Sequence, residues 1–283
     1  MSFAETVLLG AIAGFTIYLG LPVGRLGRVS DRARVALAMF SVGILAFIFV
    51  DVTGHGQAIV ETALDSYKHN DSSLGHVVGL FALLAVGFTA GTAGISGIEQ
   101  YLRRRAVRPP IAGGDAAATL SADDLARYEF DARRVALRSG MTIAFAIGLH
   151  NFAEGLAIGV SAKSGAIGLA TVLIIGFGLH NATEGFGIVG PLGGVRPSWR
   201  WLFLAGLVGG GPTFVGTIVG YQVHSDPLEL CFYALAGGAI LYVVGEIWTA
   251  VRRYGYRTLG LYFLAFGFLV GVATDLIVTY GGA

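Results

Sequence analysis

His150-Asn151-Phe152-Ala153-Glu154-Gly155 and, thirty residues further on, His180-Asn181-Ala182-Thr183-Glu184-Gly185 are two copies of one polar hexapeptide, each inside a long apolar run. In each copy the His and the Glu are four residues apart, so on an α-helix both side chains share one face, one turn apart. The flanks repeat as well: Gly148-Leu149 precedes the first copy and Gly178-Leu179 the second. Apolar runs of this length read as membrane-spanning helices. Imidazoles and carboxylates in lipid are costly unless they face one another and bind something. The stretch therefore reads as a helical hairpin carrying a polar cluster, and a divalent cation is the simplest ligand for it.

The composition agrees. The 283 residues are 54% hydrophobic and only 13% charged, against about 25% charged in soluble domains. Glycine is abundant at 44 residues without a collagen-like period, and it recurs inside apolar runs, where membrane helices approach closely. Cys231 is the single cysteine, which excludes a disulfide framework and a cysteine metal cluster. No basic residue precedes the first apolar run, so that run reads as a mature helix rather than a cleaved signal.

A spanning helix needs about 20 mostly apolar residues. Eight such runs are read, over 4–24, 35–55, 74–100, 139–162, 166–189, 200–221, 228–250 and 258–280. The basic residues sort by loop. Arg25, Arg28, Arg32 and Arg34 follow span one, Arg103, Arg104, Arg105, Arg108, Arg127, Arg133, Arg134 and Arg138 follow span three, Arg196 and Arg200 follow span five, and Arg252, Arg253 and Arg257 follow span seven. Only Lys68 and Lys163 lie on the other side. By the positive-inside rule the arginine loops face the cytoplasm and both termini face outside, in a multi-pass protein of the cytoplasmic membrane.

The chain thus reads as one transmembrane domain, 1–283, with 103–138 as a cytoplasmic loop between spans three and four. Within that loop Pro109-Pro110-Ile111-Ala112-Gly113-Gly114 reads as linker, and Ser121-Ala122-Asp123-Asp124 as the start of a short helix leading into span four. Its arginines read as topology markers, not as a nucleic-acid surface. A weaker repeat relates spans two and seven: Gly43 lies eight residues before Asp51, and Gly238 eight before Glu246. These spans run in opposite directions, as in the inverted repeats of transporters.

On the hairpin, His150 is twelfth in its span and His180 fifteenth in the next, so an antiparallel pair brings both motifs to one depth. His150, Glu154, His180 and Glu184 then offer nitrogen and oxygen ligands suited to Zn²⁺, and also to Fe²⁺ or Mn²⁺. Asn151 and Asn181 sit about 100° around the helix from the histidines, where their amide oxygens could complete a neighbouring site bridged by the two glutamates. Lone membrane histidines more often make helix–helix hydrogen bonds, but matching polar positions in two copies argue against that reading. Lower-ranked candidates are Asp51 and His55, an entry site or a hydrated helix end, and Glu246, an accessory ligand or a structural hydrogen bond. His69, His76 and His224 read as solvated, and Asp275 as an interface residue.

Protease readings find little support. The chain has no His-Glu-x-x-His zinc-protease signature. Gly94-Ile95-Ser96-Gly97 mimics an intramembrane serine protease motif, but its small residues more simply permit close packing. A membrane-embedded metalloenzyme using the same His/Glu cluster stays open as the alternative to ion transport, and a non-transporting metal sensor as a third reading.

The paired motifs on spans four and five, the eight-span outline, the external termini and the long loop after span three resemble the ZIP (Zrt/Irt-like) family, particularly its prokaryotic members. The resemblance implies a 3+2+3 arrangement of spans, a two-metal site between spans four and five, uptake of Zn²⁺ and possibly of Fe²⁺, Mn²⁺ or Cd²⁺, no cofactor beyond the transported ion, and a homodimer. His150, Asn151, Glu154, His180, Asn181 and Glu184 match the family's metal-binding positions. Three departures stand out. Ala153 and Thr183 replace the proline before each motif glutamate, Gly211 (before Pro212) takes the place of a bridging glutamate in span six, and the 103–138 loop has no histidine. A weakened second ion site is the expected consequence.

Overall fold

The computed structural model describes residues 1–26, 29–104, 122–163, 165, 167–222 and 225–282. The linker reading of 109–114, the cap reading of Ser121 and His224 fall outside the described residues. No strand occurs among those residues, and seven helical stretches are long and apolar enough to cross a membrane. The protein is an all-α, multi-pass membrane protein.

The first span is built from α1 (Phe3–Phe15), α2 (Ile17–Gly20) and a 3₁₀ turn over Leu21–Arg25 that contains Pro22. Ser2 caps α1, with Glu5 reaching back to complete a capping box. Helix α3 (Asp31–Lys68) is capped by Ser30 and is far longer than the apolar run at 35–55. Its extension survives because Ile59, Val60 and Ala63 pack with Val77, Leu80 and Leu230 at the starts of the following helices. The third span is α4 (Leu74–Thr89) joined through a π turn at Ala90–Gly94 to α5 (Ile95–Arg104). The short helix expected ahead of span four is continuous with it, forming α6 (Ala122–Lys163). Gly165, at φ +85°, makes the tight turn into α7 (Ile167–Val189). The remaining helices are α8 (Trp199–Gln222), with Pro212 inside it, α9 (Asp226–Arg252) and α10 (Arg257–Gly282).

Two groups of helices form. In one, α6 packs along α8, and α7 lies between α1 and α6. In the other, α3 packs on α10 and α9, and α4 packs on α9. The groups meet where α9 runs along α6 and where α10 and α3 touch α7. Within the second group two close crossings mirror each other. A Cβ on Gly43 of α3 would collide with the Leu264 carbonyl of α10, and one on Gly238 of α9 with the Phe88 carbonyl of α4.

On the arginine-rich side, the segment after α7 turns through Gly190–Leu192 and Gly193 at φ +64°. Four arginine side chains hold it by its carbonyls: Arg34 donates to Gly193, Arg253 to Pro191 (3.2 Å), Arg25 to Pro197 and Arg133 to Arg196 (3.3 Å). Two of these arginines belong to each group of helices. The segment is therefore tied to both groups at once.

Candidate metal centre

Helices α6 and α7 carry the hexapeptides, and the turn between them sets the two motif faces against each other. Each motif glutamate is followed by a glycine at a helix crossing: Gly155 lies against the Thr213 carbonyl of α8, and Gly185 against Ile17, Gly20 and Leu21. These contacts fix how far Glu154 and Glu184 stand from the neighbouring backbones.

His150 Nε2 lies 2.9 Å from Glu154 Oε1 and 3.5 Å from Glu184 Oε1. His180 Nε2 reaches the same Glu154 Oε1, so that oxygen sits between two imidazoles. The imidazole centroids are 6.2 Å apart. His150, His180 and Glu184 each present a ligand atom within 4.8 Å of the others. His150, Asn151, Asn181 and Glu184 are fully buried, and Glu154 is nearly so. The His180 side chain keeps 13% of its surface exposed.

The asparagines anchor through their amide nitrogens. Asn151 Nδ2 donates to Glu184 Oε2 (3.1 Å) and to the Gly209 carbonyl of α8 (2.9 Å). Asn181 Nδ2 donates to the Ala13 carbonyl of α1 (3.2 Å). Their Oδ1 atoms, together with Glu154 Oε2 and Glu184 Oε1, accept no hydrogen bond. Buried acceptors normally find donors, and leaving several undonated in one cluster is costly. A cation held by His150, His180 and Glu184 would offset that cost for the oxygens it reaches, and a mixed imidazole and carboxylate set suits borderline-soft divalent metals.

A cavity of about 660 Å³ leads to this cluster, lined among others by Asp51, His55, Glu154, His180, Thr183 and Asp275. It extends toward the C-terminal ends of α3 and α10, away from the arginine loops. Asp51 and His55 therefore share a space with the hairpin site; His55 Nδ1 bonds the Asp51 carbonyl (2.9 Å) and lies 3.7 Å from Asp51 Oδ1. Asp275, read from sequence as an interface residue, lines the same cavity. Its signal was an acid within an apolar span, but sequence depth alone does not tell which way a helix face turns. Glu246 is half-buried on α9 and does not line the cavity. A Cβ on Gly211 meets only Leu207 of its own helix, at 3.5 Å, so α8 approaches the cluster through the Gly209 carbonyl and not through position 211. Ala153 and Thr183, which replace the two prolines, both line the cavity. The Thr183 hydroxyl donates to the His180 carbonyl at 2.7 Å.

Buried imidazoles and carboxylates on a helical hairpin, opened by a cavity to one side, define a membrane protein that handles divalent metal ions. Comparison with known proteins narrows the class. The family model described as ZIP Zinc transporter matches residues 115–245, which span the hairpin. The chain is 24% identical to zinc transporter ZupT of Clostridium perfringens, over 98% of this chain and 95% of that one. It is 27% identical to zinc transporter ZupT of Corynebacterium glutamicum, over 91% and 95%, and 22% identical to that of Streptococcus mutans, over 96% of each. By these comparisons the chain is similar to ZIP-type zinc transporters along most of its length.

Proposed function

We propose that this protein takes up Zn²⁺, and with it Fe²⁺, Mn²⁺ or Cd²⁺, across the cytoplasmic membrane through a site formed by His150, Asn151, Glu154, His180, Asn181 and Glu184. One observation carries the reading: two imidazoles converge on Glu154 Oε1 amid buried oxygens that accept no hydrogen bond, at the end of a cavity. Similarity to ZIP-type zinc transporters and to ZupT proteins favours a transporter over a membrane metalloenzyme. The ion is cargo, and no resident cofactor is required.

In this reading Ile167–Val189 is also a span, the fifth of eight, the termini lie outside and the arginine loops inside. The mirrored crossings at Gly43 and Gly238 support an inverted repeat that places three spans on either side of the hairpin. The cavity is then the external vestibule. Asp51, His55 and Asp275 attract the hydrated cation, and His180, partly exposed on the cavity wall, is the first imidazole it meets. As water leaves, the carboxylates supply most of the attraction and the imidazoles the preference for borderline-soft ions. The arginine-held segment after α7 closes the cytoplasmic side, and movement of one helix group against the other opens it. The homodimer implied by the family is part of the same proposal.

Glu154→Ala and Glu184→Ala should each abolish zinc uptake into proteoliposomes while leaving the protein folded, as judged by gel filtration and helical circular dichroism. Wild-type flux in both variants would refute the site.

A further inference from the structure

A second cavity, of about 430 Å³, lies at the arginine-rich end of the molecule, between the start of α3, the end of α9 and the start of α10. Its floor is apolar: Val35, Met39 and Val251 are buried core residues that nonetheless line it. The floor stays open because position 260 has no side chain. A Cβ on Gly260 would lie 3.2 Å from Met39 Cγ and 3.5 Å from Val35 Cγ1, so any larger group there enters the cavity. Trp248 and Tyr256 form its sides, residue types that favour the membrane–water boundary.

The rim is cationic. Arg252 and Arg257 line the cavity, and Arg32 lies over the Tyr256 ring at 5.5 Å. Among the described residues, no acidic side chain lines the cavity and none of these three arginines pairs with a carboxylate. Helix α10 begins at Arg257, so its amide-bearing, electropositive end adds to the same field. A half-open apolar floor beside the Arg252 and Arg257 guanidinium groups, with Arg32 over Tyr256, at the arginine-rich ends of the helices, is complementary to one kind of molecule. Basic pockets between membrane helices on the cytoplasmic side hold anionic lipid headgroups, and arginine grips phosphate with a planar, multidentate fork.

We infer that this cavity is a binding site for an anionic phospholipid of the cytoplasmic leaflet, whose phosphate sits on Arg252 and Arg257 and whose acyl chain lies along Val35, Met39, Val251 and Gly260. It is separate from the ion pathway and shares no lining residue with the first cavity. The lipid wedges together α3, α9 and α10, three helices of one group.

The test uses the purified full-length chain in detergent, with phosphatidylglycerol or phosphatidylcholine of identical acyl chains added, and reads the thermal unfolding midpoint and the lipid retained after gel filtration. A ligand that binds only the folded state raises the midpoint by mass action. Phosphatidylglycerol should raise it by several degrees beyond phosphatidylcholine and co-purify with the protein. The double substitution Arg252→Gln/Arg257→Gln should remove that difference. Gly260→Leu, which fills the floor without altering charge, should remove it too. Arg127→Gln/Arg200→Gln, with the same loss of charge elsewhere, should retain it. Equal effects of the two lipids on the wild-type protein, or loss of the difference in the Arg127/Arg200 control, would overturn the site. Glycerol phosphate matching the full effect without acyl chains would overturn the lipid as its occupant. If Gly260→Leu fails to fold, the two arginine pairs alone decide the question.

Discussion

Replacing Gly185 with alanine tests the geometry of the hairpin without removing a ligand. The added Cβ would lie 2.6 Å from the Ile17 carbonyl oxygen, 2.7 Å from the Leu21 nitrogen and 2.8 Å from Gly20 Cα. Ordinary carbon contact begins near 3.4 Å, so α7 must retreat by about 0.6–0.8 Å to restore it. Overpacking of this kind costs about 1–3 kcal/mol, and replacing a helix-interior glycine returns about 1 kcal/mol. The net loss of stability is therefore modest, roughly 0–2 kcal/mol. The effect on the ion should be larger, because Glu184 is the adjacent residue and metal sites tolerate ligand displacements of only about 0.2 Å. Disturbing the support of a metal ligand typically lowers affinity about 10–100-fold, and that is the loss expected for zinc. Gly211→Ala is the matched control: its Cβ meets only Leu207 Cδ1, at 3.5 Å, so it should stabilise slightly and leave binding intact. Zinc titration of the detergent-purified proteins, with thermal unfolding in parallel, reads both quantities. A Gly185→Ala protein that binds zinc and melts like Gly211→Ala would refute the argument that this crossing positions Glu184.

Two further predictions concern protons and gating. Metal binding requires deprotonated ligands, and His150, His180, Glu154 and Glu184 all lose ligand character when protonated, so zinc flux into proteoliposomes should fall steadily as the external pH drops from about 7.5 to about 5; flux that rises on acidification would contradict direct competition. Arg34→Gln should weaken the closure of the arginine-rich side, since a charge-assisted bond contributes about 1.5–3 kcal/mol, and with Cys231 replaced by alanine, a cysteine at the buried Ser41 position should react roughly tenfold faster with an impermeant thiol reagent applied from that side; unchanged labelling would mean that the Gly193 anchor does not hold the segment shut.

The sequence was most informative where hydrophobicity and periodicity act locally. Seven of the eight apolar runs coincide with helices long and apolar enough to cross a membrane, and the end of α7 before Gly190-Pro191 follows from breaker residues. It was least informative wherever rotation about a helix axis decides the outcome. Glu246 lies deep in α9 yet does not line the larger cavity, whereas Asp275, near the end of α10, does. Span depth is legible from sequence, but the facing direction is set by packing partners far away in the chain. The asparagines show the same limit. Their spacing indicated a place beside the histidines, but the anchoring carbonyls of Gly209 and Ala13 are 58 and 168 residues distant. The extension of α3 beyond His55 was missed because Glu61, Asp65 and Lys68 lie on one face there, which ends an apolar window but not a helix.

Helices α6 and α7 run unbroken through both hexapeptides, with Ala153 and Thr183 where a helix-breaking proline would stand. Their backbone carbonyls stay engaged in the helical ladder, and the one at His180 also accepts the Thr183 hydroxyl. In the proposed site, then, nothing from the main chain of these two helices meets the ion, and coordination falls to side chains alone. Side-chain identity then decides which donor atoms face the ion, while neighbouring helices decide where those side chains stand. A change of ion preference is thus open to single substitutions at the ligand positions, provided the crossings that hold them stay in place.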